Sequence, residues 1–218
     1  MEQIIKTLIY IHAFFGGVGL ITGMISVFVK KGGVNHKRAG KVFAYSMIVS
    51  SLISLFVAKM PNHKSTFLFL IGVYTIYLVL AGNRALSFKN KSKINPTLPD
   101  KALSVTMLLV SLTMIVIGIV AFIKHTNNGI LYVFFGGVGL MNTLKDFYDF
   151  HTKAFTEKKN AWLISHLGGM VGALIASITA FLVAGLHIGT TLVWITPTIL
   201  GTVYIMWWNK KLKPKTTD

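Results

Sequence analysis

The sequence lacks cysteine altogether and is poor in acidic residues and in proline. Among 218 residues there are no cysteines, only six Asp or Glu residues and only five prolines. Without cysteine the chain cannot form disulfides, thiolate metal sites or iron–sulfur clusters, and it has no thiol nucleophile. The interiors of the long apolar segments hold no Asp, Glu or Lys. That absence argues against a conventional carboxylate-driven proton or sodium carrier.

Charged residues of both signs together are scarce, whereas hydrophobic residues are abundant. Charged residues make up 13% of the chain and hydrophobic residues 53%, and a soluble domain averages about 25% charged residues. The formal net charge is +16, but the basic residues follow the apolar runs in four blocks instead of forming one face. We therefore expect contact with anionic lipid headgroups and no nucleic-acid binding.

Apolar runs of membrane-spanning length dominate the chain, since about 20 residues of helix cross the hydrocarbon core. Seven spans are predicted: Thr7–Val29, Val42–Ala58, Ser65–Gly82, Ala102–Ile123, Gly129–Leu144, Ala161–Ala184 and Ile188–Trp208. The fifth is short and is expected to begin in the Asn127–Asn128 turn, and Gly185–His187 is the turn between the last two. The predicted fold class is all-α, a polytopic membrane helix bundle that forms one integral membrane domain over residues 1–218.

The distribution of the basic residues predicts how these spans are oriented. If all seven cross, 18 of the 22 Lys and Arg residues lie on one side of the membrane. Because Lys- and Arg-rich loops stay in the cytoplasm, the N-terminus is predicted outside and the C-terminus inside.

One heptapeptide occurs twice in the chain. Phe14–Leu20 recurs letter for letter as Phe134–Leu140. The spacing favours parallel repeats over residues 1–86 and 125–209, with a linker helix over residues 102–123. The alternative is that glycine-rich apolar helices resemble one another by composition.

Few polar side chains lie at membrane depth, and those few are the candidates for a site. His12 shares a helix face with glycines of the first span, and Tyr132, two residues before the second heptapeptide copy, aligns with His12. Arg84 ends the third span and His166 begins the sixth. Arg84 is expected to snorkel to lipid phosphate, and the alternatives are a pairing with Asp146 or Asp149, or capture of an anionic substrate.

A second group of imidazoles and carboxylates is predicted on the cytoplasmic side. Its members are His36, Asp146, Asp149, His151 and His166. Imidazole and carboxylate together suit a divalent metal such as zinc, iron or manganese. Histidines on different helices are also the ligands of a membrane haem b. The alternative is that these loop residues are simply solvated.

Small residues recur at every fourth position of the sixth span. They are Gly168, Gly172, Ala176 and Ala180. Such a stripe allows close helix approach in lipid. We expect it to pack within the bundle or to form the interface of a homo-oligomer or a membrane partner.

Four short motifs together resemble those of a known family. They are His36-x-x-x-Gly40, Gly82-Asn83-Arg84-Ala85-Leu86, Trp162-x-x-x-His166-x-x-x-Met170 and Thr179-Ala180-Phe181-Leu182-Val183. The chain resembles a family of small bacterial predicted membrane proteins that carry a domain of unknown function, common in Bacteroidetes-type genomes. The resemblance implies the architecture, a bacterial origin and four residues of interest: His12, His36, Arg84 and His166.

Three functions remain open at the level of sequence. The first is transport of a small molecule through a cleft between two three-helix repeats, near His12, Tyr132 and the glycine faces. The second is a membrane-embedded metal or haem protein, redox or hydrolytic. The third is an accessory subunit of a membrane complex.

Overall fold

The computed structural model of the chain describes residues 2–89, 93, 95–126 and 129–212. The helices over these residues are α1 Glu2–Phe28, α2 Val34–Val57, α3 Thr66–Ala85, α4 Leu98–Ile123, α5 Gly129–His151, α6 Ala154–Glu157, α7 Ala161–Ala180 and α8 Thr191–Leu212. A 3-10 turn over Leu86–Phe88 follows α3, and a π-helical turn over Phe181–Gly185 continues α7. The Asn127–Asn128 turn, Lys91, Lys213 and Lys215 lie outside the described residues.

Six of the described helices are long and apolar enough to cross a membrane. These candidate spans are Glu2–Phe28, Val34–Val57, Thr66–Phe88, Leu98–Ile123, Ala161–Gly185 and Thr191–Leu212. Helix α5 is not among them, since Lys145, Asp146 and Asp149 make its C-terminal part polar. The all-α prediction is confirmed for the described residues, and the long apolar helices are compatible with an integral membrane protein.

Local signals determine where several helices begin and end. Helix α4 begins with a capping box, in which Thr97 and Asp100 satisfy each other's backbone N–H groups, and proline occupies its first turn. Asn62, His125 and His187 adopt left-handed backbone angles in turns that follow helices. Helix α4 begins at Leu98 instead of Ala102, and α5 continues to His151 instead of ending at Leu144, so both helices are longer than the predicted spans.

The chain divides into two compact units. Unit 1 comprises Met1–Val79 and Met170–Thr198, and unit 2 comprises Leu80–Gly169 and Ile199–Asp218. The predicted division into repeats over residues 1–86 and 125–209 follows different boundaries and stays a prediction.

In unit 1 the glycines of α1 allow α2 to approach closely. A methyl group added at Gly19 would lie 2.9 Å from Met47 Sδ, and one at Gly23 would lie 2.9 Å from Phe43 Cδ2. Gly17, on another face of α1, has open space around it. Because side chains of α2 lie against Gly19 and Gly23, these two glycines serve helix packing, and the transport cleft between two repeats stays a prediction.

In unit 2 the second copy of the heptapeptide packs in the same way. A methyl group at Gly139 would lie 2.7 Å from Met107 Cε, and one at Gly136 would lie 3.0 Å from Ser111 O. Gly137, the counterpart of Gly17, is again open. Both copies therefore present equivalent glycines to an antiparallel neighbour. That neighbour is the following helix for α1 and the preceding helix for α5.

Candidate functional site

The most polar cluster of unit 2 is centred on the carboxylate of Asp100. Arg84 Nε donates to Asp100 Oδ1 at 2.6 Å, and Lys93 Nζ forms an ion pair with Oδ2. Thr97 donates to the same Oδ2 from its backbone N–H at 2.6 Å and from its hydroxyl at 2.8 Å. Only 5% of the Asp100 side chain is exposed. Two cations and two hydrogen bonds thus compensate the loss of water around this carboxylate.

Helix ends position both Arg84 and Asp100. Arg84 is in the last turn of α3, where a cation interacts favourably with the helix C-terminus. Asp100 is in the first turn of α4, where an anion is favoured. Arg84 Nη2 also donates to Thr97 Oγ1 at 2.9 Å, so the guanidinium contacts both members of the capping box.

A small cleft of about 20 Å³ lies beside this cluster. Its polar lining comes from Arg84, Asp100, Ser104, Asp146 and Ser165, and its apolar lining includes Phe88, Leu103, Phe150 and Phe155. Ser104 Oγ donates to Asp146 Oδ2 at 2.7 Å. The cleft therefore combines one guanidinium, two carboxylates and aromatic walls in a space of roughly one water molecule.

The observed ion-pair partner of Arg84 differs from the two predicted ones. The ion pair of Arg84 is with Asp100, a residue not among the predicted candidates, whereas Asp149 pairs with Lys145 four residues earlier on α5. Asp146 does line the same cleft as Arg84. One sequence signal could have identified Asp100, because Thr97-x-x-Asp100 ahead of an apolar run is a helix-start pattern.

The His36 side chain caps the C-terminal end of α1. Its Nδ1 lies 3.0 Å from Ser26 O, and Lys31 Nζ donates to the same oxygen at 2.9 Å and also to Val27 O. These carbonyls belong to the last turn of α1, whose final four C=O groups have no intrahelical partner. Partial burial lowers the pKa of the Lys31 amine. His36 is thus explained by capping, and its ring must donate from Nδ1 because a carbonyl only accepts.

The His166 side chain likewise caps the C-terminal end of α3. Its Nδ1 lies 2.9 Å from the carbonyl oxygen of Gly82, which is in the last turn of α3. The hydrogen bond ties the first half of α7 to the end of α3 within unit 2.

His12 joins two helix interiors in unit 1. Its Nδ1 lies 2.9 Å from both Ser50 O and Ser50 Oγ, and the Ser50 hydroxyl donates back to His12 O at 3.0 Å. Because Ser50 is on α2, the imidazole faces the packed side of α1.

The five predicted metal ligands are not assembled into one group. Over the described part of the chain, no set of three or more His, Asp or Glu side chains is arranged to hold a metal ion. The physical reason is that helix ends and neighbouring groups take up these side chains. His36 and His166 cap helices, Asp146 accepts from Ser104, and Asp149 pairs with Lys145. His151 is exposed at the end of α5.

The other predicted residues have separate surroundings. Tyr132 is half-buried in α5 of unit 2, whereas His12 belongs to unit 1.

In the small-residue stripe of α7, a methyl group at Gly172 would lie 3.2 Å from Leu78, while Gly168 has open space and Ala180 is exposed. Gly172 therefore packs within the chain, and the predicted oligomer interface stays a prediction.

Comparisons with known proteins give no family for this chain. No protein-family model, curated protein or solved structure matches it. The resemblance to bacterial membrane proteins of unknown function therefore stays a prediction.

Proposed function

We propose that the protein is a seven-span transporter of small anions in a bacterial inner membrane, with its N-terminus outside. The Arg84 cleft is the site at which the anion is recognised. In the proposed orientation this cleft is at the cytoplasmic mouth of the pathway, where the basic loops attract anions.

The donor groups of Arg84 support recognition of an anion. A guanidinium has five N–H donors, and among the described residues its hydrogen bonds to Asp100 and Thr97 use two of them. The side chain is 35% exposed and lines the cleft. Asp100 fixes the orientation of the guanidinium, so little side-chain entropy is lost when the remaining donors meet an anion.

The small volume of the cleft favours a small solute. Its volume of about 20 Å³ is close to the space that one water molecule needs. Sugars and amino acids are far larger, whereas halides, nitrate and formate need only a small opening of the walls. A small inorganic or one-carbon anion therefore fits best.

The seventh crossing in this proposal is α5. Its 23 residues give a length of about 34 Å at 1.5 Å per residue, which exceeds the hydrocarbon core of about 30 Å. Residues 129–144 carry no charge, and Gly136 and Gly139 pack this part of α5 against α4. The charged C-terminal turns would extend into the headgroup region, and the 16 uncharged residues, about 24 Å long, would be matched to the bilayer by local thinning and by snorkelling of Lys145.

Anion flux into proteoliposomes tests the function. Chloride, nitrate and formate should be taken up by the wild type, and Arg84→Lys should reduce uptake by at least about tenfold because Lys lacks the fork of donors. Lys keeps the charge next to Asp100, so the melting temperature should change little. Arg38→Lys is the matched control, since Arg38 is the other arginine of the chain and is exposed. Equal uptake by wild type and Arg84→Lys would refute recognition by Arg84.

A metal or haem protein is the second candidate, and the histidine geometry favours it. Metal-binding histidines commonly donate their second ring nitrogen to a carbonyl, as Nδ1 of His12 and His36 does. In that tautomer Nε2 carries the lone pair. An optical spectrum and elemental analysis of the purified protein test this candidate. A Soret band, or a stoichiometric metal that is lost in His12→Ala or His36→Ala, would place it ahead of transport.

A further inference from the structure

Unit 2 carries exposed lysines over aromatic rings at the end where α3 and α8 finish and α7 begins. Lys89 Nζ is 5.7 Å from the ring centroid of Trp162, Lys158 Nζ is 5.0 Å from that of Tyr148, and Lys211 Nζ is 3.6 Å from that of Trp207. We call these three pairs the basic–aromatic rim.

Contacts between chain segments hold the rim together at one end of the unit. Asn160 Nδ2, just before α7, donates to Leu212 O in the last turn of α8 at 2.9 Å. Phe88, just after α3, stacks on Phe155 of α6 with a centroid distance of 4.3 Å. The hydrogen bond of His166 to Gly82 joins α7 to α3. The three lysines are therefore presented by neighbouring segments.

The positive charge of the rim is not neutralised within the described part of the chain. The ion pairs there are Lys6–Glu2, Arg84–Asp100, Lys93–Asp100 and Lys145–Asp149. None of them involves Lys89, Lys158 or Lys211, and all three lysines are exposed. Lys93 differs from them, because it also lies over an aromatic ring, that of Phe88, but is paired with Asp100.

We infer that the basic–aromatic rim binds the headgroups of anionic phospholipids. Aromatic rings are favoured at the headgroup level of a bilayer, and lysines there extend towards lipid phosphate. Tyr148 and Trp207 are 58% and 50% exposed, so rings as well as charges face the surroundings. A free phosphate would use only the charges, whereas a phospholipid uses the charges and the apolar surface around them.

A thermal-unfolding assay of the full chain in detergent tests this site. Dioleoyl phosphatidylglycerol should raise the unfolding midpoint by about 3–6 °C relative to dioleoyl phosphatidylcholine, because a ligand that binds only the folded state stabilises it. The triple variant Lys89→Gln/Lys158→Gln/Lys211→Gln should lose at least half of that shift. Inorganic phosphate at the same concentration should give little shift.

Lys59→Gln is the matched control. Lys59 lies 4.3 Å from the ring centroid of Phe69 in unit 1, so it is a lysine–aromatic pair outside the rim. This control should keep the full response to phosphatidylglycerol. The inference is overturned if the triple variant keeps the full shift, if phosphatidylcholine stabilises equally, or if phosphate alone reproduces the effect. Anion flux plays no part in these readouts, so they are independent of the proposed transport function.

Discussion

Arg84 and Asp100 join the end of α3 to the beginning of α4 through a hydrogen bond of 2.6 Å between Nε and Oδ1. They are 16 positions apart in the chain, and their contact brings the two helix ends together. Because Asp100 also completes the capping box of α4, one carboxylate both begins a helix and anchors the guanidinium of the candidate site.

Removing the charge of Asp100 should destabilise the protein. In Asp100→Asn, Arg84 and Lys93 lose their shared carboxylate, while the amide oxygen still accepts from Thr97. We expect the free energy of unfolding to fall by about 1–3 kcal/mol, less than for a fully buried pair because Arg84 is partly exposed. Denaturant titration in detergent measures this free energy of unfolding. Glu2→Gln, which removes the exposed Glu2–Lys6 pair, should leave the midpoint unchanged; an equal loss in both variants would contradict the prediction.

The duplicated glycines provide internally matched substitutions. Gly139→Ala places a methyl group 2.5 Å from Ser111 Oγ, whereas Gly137→Ala meets nothing within 4 Å. Overpacking should cost about 1–3 kcal/mol for Gly139→Ala, and Gly137→Ala should be neutral or slightly stabilising through helix propensity. Gly19→Ala and Gly17→Ala should reproduce this contrast in α1. Thermal unfolding of the four variants decides it, and similar midpoints within each pair would show that the glycine faces are not tightly packed.

His36 should act through its contact with the end of α1. In His36→Ala the carbonyl of Ser26 loses the ring donor, and we expect a loss of about 1 kcal/mol. His36→Gln keeps an N–H donor and should recover part of it, as measured by chemical unfolding of both variants in the same detergent. Identical destabilisation by Ala and Gln, together with loss of a bound metal, would instead support the ligand role.

The topology can be measured because the chain has no cysteine. The single-cysteine variants His125→Cys and Lys159→Cys place one label before α5 and the other after α6. If α5 crosses the membrane, a membrane-impermeant maleimide should label His125→Cys in intact cells and Lys159→Cys only after permeabilisation. Labelling of both positions under the same condition would leave six crossings and refute the seven-span proposal.

Much of this fold is predictable from the sequence by itself. Hydropathy identified the apolar helices, because a helix in lipid must satisfy its backbone internally and be apolar along its length. The close packing at Gly19 and Gly23 has the same physical basis as the close approach expected of small-residue stripes. The beginning of α4 and the end of α5 were predicted less accurately, because capping and polar helical turns extend a helix beyond its apolar run.

The partners of the polar side chains were decided only by the tertiary structure. Residue types at His36 and His166 suited metal binding, but in the folded chain the ends of α1 and α3 supply carbonyl groups that contact Nδ1 of each ring. Likewise, Asp146 and Asp149 were the predicted partners of Arg84, and the meeting of the end of α3 with the beginning of α4 pairs it with Asp100 instead. Hydrophobic periodicity determines which segments form helices, whereas the pairing of donors and acceptors depends on which helix ends meet in space.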